Sequence, residues 1–123
     1  MTKEQILENF DPSQPGLADA TIFGLPFSAE QSEIIVIPVP WEVTVSYGSG
    51  ASKGPDAVLD ASFQVDLNHQ EFPELWKLGI YLDKAPKELK KKSKKYKKQA
   101  APIIKALESG MILDHHPSLM KDL

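Results

Sequence analysis

The chain has no cysteine and no arginine, and no apolar run approaches the length of a bilayer span. Without cysteine there is no disulfide framework, no thiolate nucleophile and no thiolate metal ligand. Without arginine the chain lacks the side chain that most often grips phosphates and base edges in bidentate fashion. A transmembrane helix needs about 20 consecutive apolar residues, and Thr2-Lys3-Glu4-Gln5 after Met1 carry no apolar leader segment. The reading is a cytoplasmic protein. Fourteen basic residues face 17 acidic ones, a net charge of −3, so no overall field draws nucleic acid or an anionic membrane. The 123 residues suit one small domain able to bury about two-thirds of its unfolded surface.

What is present concentrates between Ile34 and Leu67. Ile34 to Ile37 form a continuous β-branched run, the pattern of a strand covered on both faces. Pro38 and Pro40 end its ladder, because proline has no N–H to donate. Gly48, Gly50 and Gly54 form a loop able to take positive φ and lie close to other backbone. Pro55 suits the first turn of a helix, Asp56 favours the positive end of its dipole, and Ala57-Val58-Leu59 continue it. This order of strand, loop and helix opens an α/β sheet, with Leu78 to Leu82 as the second strand.

These residues also resemble a known family. Val36-Ile37-Pro38-Val39-Pro40, Tyr47-Gly48-Ser49-Gly50, Gly54-Pro55-Asp56-Ala57-Val58 and Ala61-Ser62 are similar to the N-terminal motif of the ureohydrolases, which include arginases, agmatinases and formimidoylglutamases. Phe23-Gly24-Leu25-Pro26-Phe27 and Gln64-Val65-Asp66-Leu67 extend the likeness, which covers roughly Phe23 to Leu82. The resemblance implies the N-terminal part of a three-layer α/β/α domain with a mostly parallel sheet. It implies hydrolysis of a C–N bond in a linear guanidine or amidine by an enzyme holding two manganese ions. The family's metal motifs, G-G-D-H, D-A-H-x-D and S-x-D-x-D-x-x-D, do not occur here. Two close divalent cations need hard oxygen ligands together with imidazole, and Leu113-Asp114-His115-His116 is only a partial imitation. The chain alone is therefore expected to be inactive, with no catalytic residue and no metal ligand of its own. The remainder of a longer chain, or copies of itself, are the partners implied. By the same resemblance the loop lies at the carboxyl edge of the sheet, so Trp41, Glu42 and Tyr47 are candidates to border a substrate pocket or a subunit contact. Gly48, Gly50, Gly54 and Pro55 are its structural residues.

Three zones follow: residues 1–32, an N-terminal arm with a short helix; residues 33–83, the strand–loop–helix–strand unit; and residues 84–123, a lysine-rich helix and tail. In the first, Thr2 is an N-cap with Gln5 as its capping-box partner, and Ile6, Leu7 and Phe10 share one face. Residues 11–29, rich in Pro, Gly and Ser, are either irregular but ordered or flexible. In the third zone Leu89, Tyr96, Ala100, Ile103 and Leu107 make a narrow apolar stripe, while lysines 90, 91, 92, 94, 95, 97 and 98 cover the rest. Pro102 predicts a kink or a restart. A solvated face whose lysine stems cover apolar surface explains the run better than a phosphate-contacting helix does.

Other chemistry is thinly represented. Gly48-x-Gly50-x-x-x-Gly54 has neither dinucleotide-fingerprint spacing nor the Gly-Lys-Ser/Thr of a P-loop. His115 and His116 beside Asp114 and Pro117 read as a turn, and Asp66 with His69 as a loose pair that ends a helix. Two classes rival the hydrolase reading: a non-catalytic interaction module, and a lysine-mediated nucleic-acid binder.

Overall fold

The computed structural model describes residues 1–16, 20–45, 47–115 and 117–121. Helix α1 (Lys3–Asn9) begins at Thr2, whose Oγ1 accepts from the Gln5 N–H at 3.3 Å while Gln5 Oε1 accepts from the Thr2 N–H at 2.9 Å. This is the expected capping box, which satisfies two otherwise orphaned donors. Strand β1 (Ile34–Val36), helix α2 (Gly54–Ser62), strand β2 (Ile80–Leu82), helix α3 (Lys87–Glu108) and the single turn α4 (Pro117–Met120) follow. Short 3₁₀ turns lie between them. β1 and β2 pair in parallel, Ile34 with Ile80 and Val36 with Leu82. The chain is thus mixed helix with a short parallel pair, compatible with the α/β class.

Two compact units emerge. The first comprises Met1–Pro38 and Pro55–Lys84; the second comprises Val39–Gly54 and Ala85–Leu123. In the first unit Ile6, Leu25, Phe27 and Trp76 form the core, with Leu7, Phe10, Phe23, Leu67 and Ile80 against it. Leu25 is wholly enclosed, and the Phe10 and Trp76 rings meet at 5.2 Å. Each such side chain contributes about 1.5–3 kcal/mol on leaving water. The Pro- and Gly-rich stretch is ordered where described: it brings Leu25 and Phe27 inward through a turn at Ile22–Gly24. Phe23 there has φ 62°, uncommon for a residue with a Cβ. The buried Ser62 hydroxyl accepts from the Phe23 N–H at 2.9 Å and donates to the Leu59 carbonyl at 2.6 Å, pinning that turn to the end of α2.

Gly79 is a tight point of the unit. With φ 76° and ψ 126° it closes the Leu75–Leu78 turn and leads into β2. A Cβ there would lie 2.9 Å from both the Gln31 carbonyl oxygen and the Ser32 Cα. Only glycine fits.

Three sequence expectations need correction. β1 is not covered on both faces: Ile34 and Ile35 are 41% and 43% exposed, and Ile37 beyond them is 68% exposed. A β-branched run marks strand preference, but burial requires neighbouring layers, and β1 pairs only with β2 among the described residues. Gly54 does not take positive φ, unlike Gly48 and Gly50; its φ of −51° starts α2. Finally, of the two outcomes expected at Pro102 the restart does not occur, since α3 continues through it as one 22-residue helix.

Candidate functional site

In the second unit, α3 and the glycine loop meet at a carboxylate. Glu42 is only 3% exposed. Its Oε1 accepts from the Ser49 hydroxyl at 2.6 Å and from the Lys97 ammonium. Its Oε2 accepts from the backbone N–H groups of Gly50 at 2.8 Å and Ser52 at 3.0 Å. The Glu42 N–H in turn donates to the Ser93 hydroxyl at 2.9 Å, and Ser93 is itself buried. Lys97 also donates to the Ser49 oxygen, closing a small network.

Local conformation explains how this forms. Gly50 has φ 139°, beyond the ordinary reach of a residue with a Cβ, in the turn that aims the Gly50 and Ser52 amides at one point. Ala51–Lys53 then makes a 3₁₀ turn whose Lys53 N–H bonds back to the Gly50 carbonyl at 2.9 Å. On α3, Ser93 and Lys97 stand one helical turn apart, so they share a face.

The electrostatics follow from the donor set. The Lys97 ammonium, then the Ser49 hydroxyl, then the Ser52 and Gly50 amides hold the Glu42 carboxyl well below the usual carboxylate range, against the opposing effect of burial. A carboxylate so acidic, with both oxygens committed, is a poor general base and has no free lone pair aimed at a ligand. Its chemistry is that of a clamp.

The other singled-out residues lie apart from this network. The Trp41 ring is 40% exposed and lies 6.1 Å from the ring of Tyr96, itself half-exposed. Tyr47 is 98% exposed. Gly48 and Gly50 shape the loop, and Gly54 and Pro55 begin α2. Asp66 Oδ1 accepts from the Asn68 N–H, and His69 Nδ1 from the Glu71 and Phe72 N–H groups, so each closes its own turn. Asp114 and His115 lie in an exposed turn, and His116 falls outside the described residues. Among the described residues no three His, Asp or Glu side chains gather where a metal ion can sit. The described residues therefore do not form a two-manganese centre, and no reaction step is assigned to one.

Ser93 and Lys97 are the participants that sequence reasoning missed. The lysine run hides Lys97, which in sequence looks like one more solvated charge. A signal did exist: Ser93 interrupts Lys90-Lys91-Lys92 and Lys94-Lys95, four residues after Leu89 and four before Lys97. The buried line of α3 runs through Ser93, Ile103 and Ala106, whereas Tyr96 and Leu107 of the expected stripe stay exposed.

No family model matches the chain, and no solved structure matches it. Among curated proteins it is similar to the N(1)-aminopropylagmatine ureohydrolase of Synechocystis sp., with 39% identity over 56 residues. The match covers 44% of this chain and 18% of that relative's length. It supports a resemblance at the level of the ureohydrolase family.

Proposed function

We propose that the chain is the N-terminal portion of a manganese-dependent ureohydrolase. In that reading it belongs to a three-layer α/β/α domain that hydrolyses a C–N bond of a linear guanidine or amidine. The observation that carries this is the 56-residue likeness to a ureohydrolase at 39% identity. Two structural features support it. The parallel pairing of β1 and β2, with the glycine loop and α2 between them in sequence, has the connectivity of a βαβ unit, from which parallel sheets are built. The apolar side chains of Ile34, Ile35, Ile37 and Val39 stand exposed, as they would in a strand awaiting further layers.

On this reading the two manganese ions, and the residues that hold them, belong to sequence beyond these 123 residues. There they would activate water for the hydrolysis, and no group of described residues in this chain would hold them. What this chain contributes is placement: Glu42 fixes the loop that carries Tyr47, with Trp41 at its base. The polypeptide alone is inactive, acts in the cytoplasm as part of a longer chain or homo-oligomer, and takes its substrate only in the complete enzyme.

Two measurements test this. An antibody raised against the chain should detect an endogenous protein more than twice its mass, which should release urea, ammonia or formamide from guanidines or amidines when supplied with manganese. A band at the mass of the chain itself would sink the reading in favour of a non-catalytic interaction module. Manganese-dependent release by the purified 123-residue chain would refute the placement of the metal ligands elsewhere.

A further inference from the structure

Charge is distributed unevenly between the two units. The first has three lysines against twelve carboxylates, a balance of −9; the second has eleven lysines against five, a balance of +6. The asymmetry sharpens locally. Residues 54 to 76 hold five carboxylates (Asp56, Asp60, Asp66, Glu71 and Glu74) and no cation, whereas residues 84 to 98 hold nine lysines and one glutamate.

On α3 the lysines form an ordered surface. Lys91, Lys94, Lys95 and Lys98, at steps of three and four residues, line one shallow concavity of about 480 Å³ together with Gln99. Lys91 pairs with Glu88 at 3.0 Å, but Lys94, Lys95 and Lys98 have no ion pair among the described residues. Like charges at these spacings repel, so the bare helix is destabilised until anions face it. The first unit offers such anions on a regular element: Asp56 and Asp60 are one turn apart on α2, both exposed, with Glu71 exposed nearby in sequence.

We infer that the lysine stripe of α3 docks the acidic surface around α2 of a second copy of this chain. The contact joins two different surfaces, so it is heterologous and can propagate from copy to copy. Its strength comes from charge complementarity, which steers association and makes it sensitive to salt. The inference rests on the placement of charge alone and stands or falls independently of the proposed activity.

The test uses the whole chain and two charge-neutralised variants. One carries Lys91→Gln, Lys94→Gln, Lys95→Gln and Lys98→Gln; the other carries Asp56→Asn, Asp60→Asn and Glu71→Gln. Far-ultraviolet circular dichroism verifies that each folds. In sedimentation velocity the parent chain should associate at about 20 mM salt and dissociate at about 300 mM, where the screening length falls from roughly 20 Å to roughly 6 Å. Each variant alone should be monomeric, and an equimolar mixture should regain a one-to-one complex, because each supplies the surface the other has lost. A parent chain that stays monomeric at low salt overturns the inference. So does assembly that persists in the lysine variant alone, or a salt-sensitive complex with duplex DNA in place of self-association.

Discussion

Replacing Gly79 by alanine should be among the most damaging single-atom-group additions available to this chain. Two costs combine. The backbone at φ 76° and ψ 126° lies where residues with a Cβ rarely go, a strain of about 1–3 kcal/mol. The added carbon would also sit 2.9 Å from the Gln31 carbonyl oxygen, 2.9 Å from the Ser32 Cα and 3.3 Å from Phe27 Cγ. Two of those are backbone atoms, which cannot swing away as a side-chain tip can, and overpacking of this kind costs about 1–3 kcal/mol. Together the loss is about 2–6 kcal/mol, a large share of the roughly 5–15 kcal/mol that holds a typical domain. Urea unfolding followed by Trp76 fluorescence gives the measurement, and with a slope of about 1–3 kcal/mol per molar the midpoint should fall by about 2 M. Gly48→Ala is the comparison: its φ is 69°, but nothing lies within 4 Å of the added carbon, so only the conformational cost of about 1–2 kcal/mol applies. A Gly79→Ala chain that unfolds within about 1 kcal/mol of the parent would refute the reasoning, because the collision would then have been relieved at no cost.

Other expected outcomes bear on the clamp and the Phe23 turn. The Glu42 carboxyl is depressed in the folded chain below its ordinary 4.5, so as pH falls the unfolded chain takes up the proton first. The stabilisation Glu42 provides is thus complete above about pH 4.5 and is lost as acidity passes through the lower, folded value; a Glu42→Gln variant should show less acid sensitivity below pH 4.5 in stepwise pH unfolding. Lys97→Met should quicken hydrogen exchange at the Gly50 and Ser52 amides while leaving those of β1 and β2 unchanged, and uniform quickening would count against a local clamp. Ser62→Ala removes the acceptor of the Phe23 N–H and should cost about 1–3 kcal/mol by thermal melting, with no loss in the Ser13→Ala control.

The sequence was legible where the information was local. Thr2 and Gln5 announce their capping box because both partners lie within one turn, and Gly54-Pro55-Asp56 announces α2 because each residue acts on the first turn it occupies. The two strands were likewise visible from their β-branched and aromatic residues. The clamp was not, since Glu42 and Lys97 are 55 residues apart and nothing in a run of lysines distinguishes the one that finds a carboxylate. Burial of Leu25 and Phe27 escaped notice for a related reason: they sit among prolines and glycines without helical or strand period, and only the fold shows that this irregular segment faces Trp76.

The Ser49–Glu42 bond closes a ring of backbone between two residues seven apart, with Tyr47 on its outer rim. A ring tied at its base behaves as a mounting rather than as a tether. Its rim can be rewritten or lengthened while the knot stays in place, because doubling a loop adds only about 0.6 kcal/mol of closure entropy. The stretch between the two anchors is therefore where this chain can most readily acquire a different reach or a different selectivity, with the fold beneath left as it is.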